Sequence, residues 1–110
     1  MNDEWKKIVS ERFGDYESSS LDREWQLIQG KYIRGDHIEG EVIAHCSFGV
    51  WVDVGEKFPA LIETIHIVEM TAEKYRNDDY FPVGSNLQAM FRSFTTYGNQ
   101  IRLEQVNVHL

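Results

Sequence analysis

The sequence predicts a mainly β protein, with five short strands following two amphipathic helices. Three observations carry this. Val50, Val52 and Val54 alternate with Trp51 and Asp53, the period of a strand with one buried face. Gly40, Gly49, Gly55 and Gly84 punctuate apolar blocks at the intervals of strands and turns. The segment before residue 35 switches instead to helical spacing.

Trp5, Ile8, Val9 and Phe13 make one apolar stripe on a helix, with Lys6, Lys7 and Glu11 largely off it and Gly14 as its stop. Residues 15–20 are polar and serine-rich and read as a linker or turn. Leu21, Trp25, Ile28 and Tyr32 then give a second helix, with Ser20 as its N-cap and Gly30 as its stop. Helices this short are marginal alone, so their stripes need a surface. Intramolecular burial is the usual use of such a stripe. The alternative is that Trp5 and Phe13 reach a partner chain.

Strands are expected over residues 37–47, 50–54, 60–64, 87–95 and 100–106. Gly55-Glu56-Lys57 and Tyr97-Gly98-Asn99 supply turn chemistry, and residues 71–76 read as a short helix capped by Thr71 and ended by residues 77–79. Gly49 inside an apolar run predicts a bulge or sharp bend that would bring Phe48 beside Trp51. The expected core is Val42, Val50, Val52, Val54, Leu61, Leu87, Ala89, Phe91, Ile101 and Leu103.

A chain of 110 residues makes one domain with a modest core. No apolar run approaches the ~18 residues of a membrane span, and the N-terminus has no apolar signal core, so a soluble cytoplasmic protein is expected. The single cysteine, Cys46, excludes an internal disulfide and offers no zinc motif. The net charge is −7. Residues 1–24 hold seven acids and four bases, and residues 25–110 hold eleven acids and seven bases, so the acidity is not confined to a tail. Phosphate-backbone binding draws on Lys and Arg that release counterions, for which an acidic chain is poorly equipped outside a local basic patch.

Residues 35–104 resemble the S1 RNA-binding domain. Gly40-x-Val42 and Phe48-Gly49-Val50-Trp51-Val52-Asp53-Val54-Gly55 match its first hairpin, and Ala60-Leu61-Ile62-Glu63 its third strand. Phe81-Pro82-Val83-Gly84 introduces the fourth strand, and Ile101-Arg102-Leu103-Glu104 is similar to the fifth. The resemblance implies a five-stranded antiparallel OB-fold barrel over residues 35–110, with residues 1–34 as an N-terminal helical extension. It also implies binding of single-stranded RNA.

In that family the nucleic-acid surface uses the aromatic before the glycine kink, the aromatic three residues later, a histidine on the third strand, and acidic and basic residues around the last hairpin. Phe48 and Trp51 match the aromatics, and each stacked base is worth roughly 1–3 kcal/mol. Two fates are open to Trp51: a stacking platform, or packing against the N-terminal helices. Glu63 stands where histidine is usual, Thr95 or Thr96 at the acidic position, and Gln100 at the basic one. Arg92 and Arg102 offer a smaller basic patch, or are strand-face residues paired with nearby acids. Lys57 and Tyr97 are further candidates for RNA contact.

The four histidines make no metal pattern. His45 reads as a hydrogen-bonded, partly buried residue, His66 falls near Glu63, and His109 lies in a terminus expected to fray. No nucleophile elbow, phosphate loop or His-Glu-x-x-His is present, so neither catalysis nor a cofactor is expected. Two functions remain. One is a module that binds single-stranded RNA weakly, by stacking. The other is an adaptor or inhibitor whose acidic surface docks a basic protein.

Overall fold

The computed structural model describes residues 4–67, 73 and 80–105. Helix α1 spans Glu4–Phe13 and α2 Asp22–Ile28. The strands are β1 His37–Cys46, β2 Gly49–Asp53, β3 Ala60–Glu63, β4 Asn86–Phe94 and β5 Ile101–Gln105. Each strand lies within a residue or two of its expected range. The helix expected over residues 71–76 and its end at 77–79 fall, except for Glu73, outside the described residues, as do residues 106 and 109.

The strands close a barrel in the order β1-β2-β3-β5-β4. The length of β1 lets it serve two neighbours, pairing with β4 over His37–Glu41 and with β2 over Glu41–Cys46. The sheet is not wholly antiparallel as expected: β3 and β5 run parallel, with Ala60 opposite Ile101 and Ile62 opposite Leu103. The cause is geometric. Strand direction cannot alternate all the way round a closed ring of five, so at least one neighbouring pair must run parallel.

The expected irregularity at Gly49 is also placed differently. The register shift falls in β1, between Val42 and Ala44. Ser47 and Phe48 form the two-residue turn into β2, and Gly49 pairs regularly with Cys46 and Glu63. Gly49 is required by close approach, because a Cβ there would sit 2.2 Å from the carbonyl oxygen of Ile62. Gly49→Ala is therefore expected to cost stability at or above the ~1–3 kcal/mol usual for overpacking. Gly30→Ala is the control, since its Cβ would meet nothing nearer than 3.7 Å. Urea midpoints that ranked the two variants equal would contradict this role for Gly49.

Two apolar clusters hold the fold. The first fills the barrel, with Val42, Val50, Val52, Phe58, Ile62, Leu87, Phe91, Ile101 and Leu103 buried. Trp25 and Ile28 of α2 close one mouth of it, Trp25 meeting Phe58 and Phe94 edge-on at 4.9 and 5.4 Å. The second lies between α1 and the outer face of the barrel, where Val9 meets Ile43, Ala44, Cys46, Trp51 and Leu61. Leu61, expected inside, is thus buried on the outside, opposite Trp51. Val54 is only half-buried.

Both helices therefore turn their stripes onto their own chain. Gly14 ends α1 in the left-handed region (φ 65°), its N–H bonded to the Ser10 carbonyl at 2.8 Å. Ser20 does not cap α2. A 3-10 turn over Ser19–Leu21 intervenes, capped by the Ser18 hydroxyl accepting from the Ser20 N–H. Tyr32, beyond α2, stacks on Phe91 at 5.6 Å, and its hydroxyl bonds Glu56, which also pairs with Lys31. Among the described residues no helix is long and apolar enough to cross a membrane.

Candidate nucleic-acid interface

The alternation that buries Val50 and Val52 turns Trp51 outward, and pairing aligns its neighbours. Trp51 lies opposite Leu61, Leu61 opposite Arg102, and Gly49 opposite Glu63. Phe48 stands at the turn before β2, and its carbonyl accepts from the Thr64 N–H at 3.0 Å. One outer wall, made by β2, β3 and β5, thus carries Phe48, Trp51, Glu63 and Arg102.

Phe48 is 41% exposed, and its ring meets Trp51 edge-on at 6.2 Å. Trp51 itself is only 1% exposed. The Trp5 indole of α1 lies flat over it, with centroids 5.2 Å apart and planes 18° from parallel. Trp5 also meets Phe48 edge-on at 5.5 Å. Of the two fates open to Trp51, packing against the helix is the one found here, and the open stacking platform is not. The cover is imperfect. The buried Nε1 of Trp51 has no hydrogen-bond partner. The Cys46 sulfur beside it is at most a weak acceptor.

The polar half of the wall is self-neutralised. Arg102 pairs with Glu63 at 2.9 Å and donates from Nη2 to the Gln100 Oε1 at 3.0 Å. For Arg102, pairing with a nearby acid therefore holds over a free basic patch. Arg92 falls at the register shift in β4, beside Ser93, which lies opposite Arg102. It is half-buried, and its Nε has no hydrogen-bond partner. Thr95 closes the last hairpin, its hydroxyl accepting from the Gln100 N–H at 3.0 Å, while Thr96 is exposed. Tyr97 at that hairpin is 88% exposed. Lys57 is exposed on the turn before β3, by a groove shared with Arg12, Phe13 and Asp53.

Arg12 and Tyr16 tie the N-terminal segment to this wall and its borders. Arg12 reaches Asp53 at 3.1 Å and Glu41 at 3.7 Å. The Tyr16 carbonyl accepts from Asn99 Nδ2 at 3.0 Å. The Tyr16 phenol faces Gln100, and its pKa is raised, first by burial and then by Glu17, with Gln100 opposing. The sequence flagged Trp5 as part of an apolar stripe, bound for its own chain or a partner, and nothing in it signalled Arg12 or Tyr16 as neighbours of the site.

His45 is partly buried, stacks on Tyr80 at 4.6 Å and bonds the Phe81 carbonyl through Nε2 at 2.7 Å. His66 ends the 3-10 turn Thr64–His66 that follows β3. Burial pushes the Cys46 thiol up. Among the described residues no group of three or more His, Cys, Asp or Glu is arranged to hold a metal ion.

No protein-family model matches the chain, and no curated protein does. Solved structures do. GSP13 from Bacillus subtilis is 16% identical, with a TM-score of 0.57 over 66% of this chain and 55% of its own. The present chain therefore spans about half the length of GSP13. RNase R from Mycoplasma genitalium, in complex with ribose methylated single-stranded RNA, is 18% identical, with a TM-score of 0.60 over 79% of this chain and 15% of that enzyme. The uncharacterized protein MJ1198 from Methanocaldococcus jannaschii is 13% identical, with a TM-score of 0.55 over 71% of this chain and 97% of its own. At these identities the likeness is one of fold, and the fold is an S1-like OB barrel.

Proposed function

We propose that this chain binds single-stranded RNA on the outer wall of β2, β3 and β5, as a binding module and not a catalyst. One observation carries the reading: Trp51 already holds a flat aromatic, Trp5, in a stacked arrangement. A wall that accepts an indole face to face has the geometry a nucleobase needs, since every base presents a π-face. Phe48 borders the same spot, half-exposed. The likeness of fold to RNase R, solved with single-stranded RNA, supports the same reading.

In this reading the aromatics supply most of the affinity, and Arg102 supplies a phosphate or base contact that Glu63 restrains. The reading predicts weak binding with a shallow salt dependence, because few phosphates are neutralised. Phe48→Ala should weaken binding by roughly 1–3 kcal/mol. Glu63→Gln should do the opposite, freeing Arg102 and steepening the salt slope by about 0.7, one further phosphate on a single strand. Anisotropy of labelled short oligoribonucleotides at low and moderate salt measures both. Absence of binding at low salt, where phosphate attraction is strongest, would end the RNA reading. The second reading would then stand, with a basic protein as partner for a chain of net charge −7.

A further inference from the structure

We propose that α1 is a built-in competitor for the stacking wall: Trp5 occupies the place of a base on Trp51, and single-stranded RNA binds by displacing the helix. This rests on the RNA-binding reading and adds its regulation. The segment from Trp5 to Tyr16 engages the aromatic half of the wall and its borders at once. Trp5 covers Trp51 and borders Phe48, Arg12 holds Asp53 and Glu41, and the Tyr16 carbonyl holds Asn99. A base stacked on Trp51 and α1 in this position exclude one another sterically.

Several features make the helix displaceable. It has ten residues, too few to be stable alone, and only Val9 among them is buried. Trp5, Ile8 and Phe13 are half-buried, and Arg12 is exposed. Gly14, in the left-handed region, and the polar turn after it connect α1 to α2, so α1 is able to leave while α2 stays in the barrel mouth. With α1 in place the Trp51 Nε1 is buried and has no hydrogen-bond partner. Arg12 opposes release modestly, through ion pairs with Asp53 and Glu41 that are partly exposed. The resting chain is therefore closed, and its apparent RNA affinity is lowered to the fraction that is open.

The test compares RNA binding by the full chain and three neutral variants. Trp5→Ala removes the occupant. Ser10→Pro breaks α1 from an exposed position without altering the stripe. Ser10→Ala at the same site preserves the helix. Labelled oligoribonucleotide anisotropy should show Trp5→Ala binding about three- to tenfold more tightly, the equivalent of one aromatic pair. Ser10→Pro should also gain, and Ser10→Ala should match the wild type. In 15N spectra of the wild type, RNA should shift the indole N–H signals of Trp5 and Trp51 and leave that of Trp25 in place. Equal affinity in all four proteins would show α1 to be a fixed part of the fold, with RNA binding intact. Weaker binding by Trp5→Ala beside normal Ser10→Ala would make Trp5 part of the RNA surface and overturn the competition. Failure of all four to bind at low salt would remove the RNA reading and the competition together.

Discussion

Replacing Phe91 with alanine is expected to cost the protein about 3–5 kcal/mol, the range for a buried phenylalanine. Phe91 is 4% exposed, at the meeting point of three elements. Its ring lies 4.7 Å from Phe94 and is stacked by Tyr32, and it faces Leu103 across the β4–β5 ladder. Its backbone joins the start of β1, donating to the Asp36 carbonyl at 2.7 Å and accepting from the Gly35 N–H at 2.9 Å. Those bonds survive the substitution, so the loss belongs to the side chain. Domains hold only about 5–15 kcal/mol in total, so the urea midpoint should fall steeply while the slope m stays constant. An unchanged midpoint would mean that the ring is not in the core.

Deleting residues 1–34 is expected to leave a chain that is largely unfolded at room temperature. The sequence marks this segment as an extension in front of a barrel, yet α2 supplies the barrel with its plug. Trp25 and Ile28 belong to the interior cluster, and loss of a buried tryptophan alone costs about 3–5 kcal/mol. The deletion also removes Tyr32 from Phe91 and strips α1 from Trp51 and Leu61, leaving an apolar patch in water. Circular dichroism melts of residues 35–110 and of the full chain make the comparison. A cooperative transition near the full-length temperature would show the strands to be self-sufficient.

The strand pattern was legible because burial writes itself into alternation. Val50, Trp51 and Val52 gave the inward and outward faces of β2 correctly, and the glycines marked its ends. The parallel β3–β5 pair left no local trace, because pairing between distant strands follows the topology and not a residue pattern. It was nonetheless implicit in the number of strands, since five cannot alternate around a closed ring. Leu61 misled for a related reason. A fully buried outward residue looks like a core residue when the covering helix has not been placed. The stripe Trp5, Ile8, Val9, Phe13 announced that α1 would be buried, but a stripe does not name the surface it will meet. At the candidate site, the outward aromatic and the Glu63 and Gln100 positions were readable. The Glu63–Arg102 pair and the Arg12 contacts depend on side-chain reach across strands, which sequence spacing does not encode. Ser20 does not cap α2 because a 3-10 turn, itself capped by Ser18, runs into the helix and leaves Leu21 at its N-cap with no side-chain cap.

The parallel seam also sets the order of events when the chain folds. Ala60 and Ile101 lie 41 positions apart, and closing a flexible loop of that length costs about 3 kcal/mol in chain entropy before any contact repays it. The β1–β2 hairpin needs only the two-residue turn at Ser47 and Phe48 and forms early by comparison. Until β5 arrives, β3 presents a bare edge beside buried Ile62, and β5 presents the matching one. Two half-closed molecules hold complementary edges, and at high concentration each offers the other the strand it has not yet captured from itself. Refolding yield should therefore fall with protein concentration, the product lost being a strand-exchanged dimer.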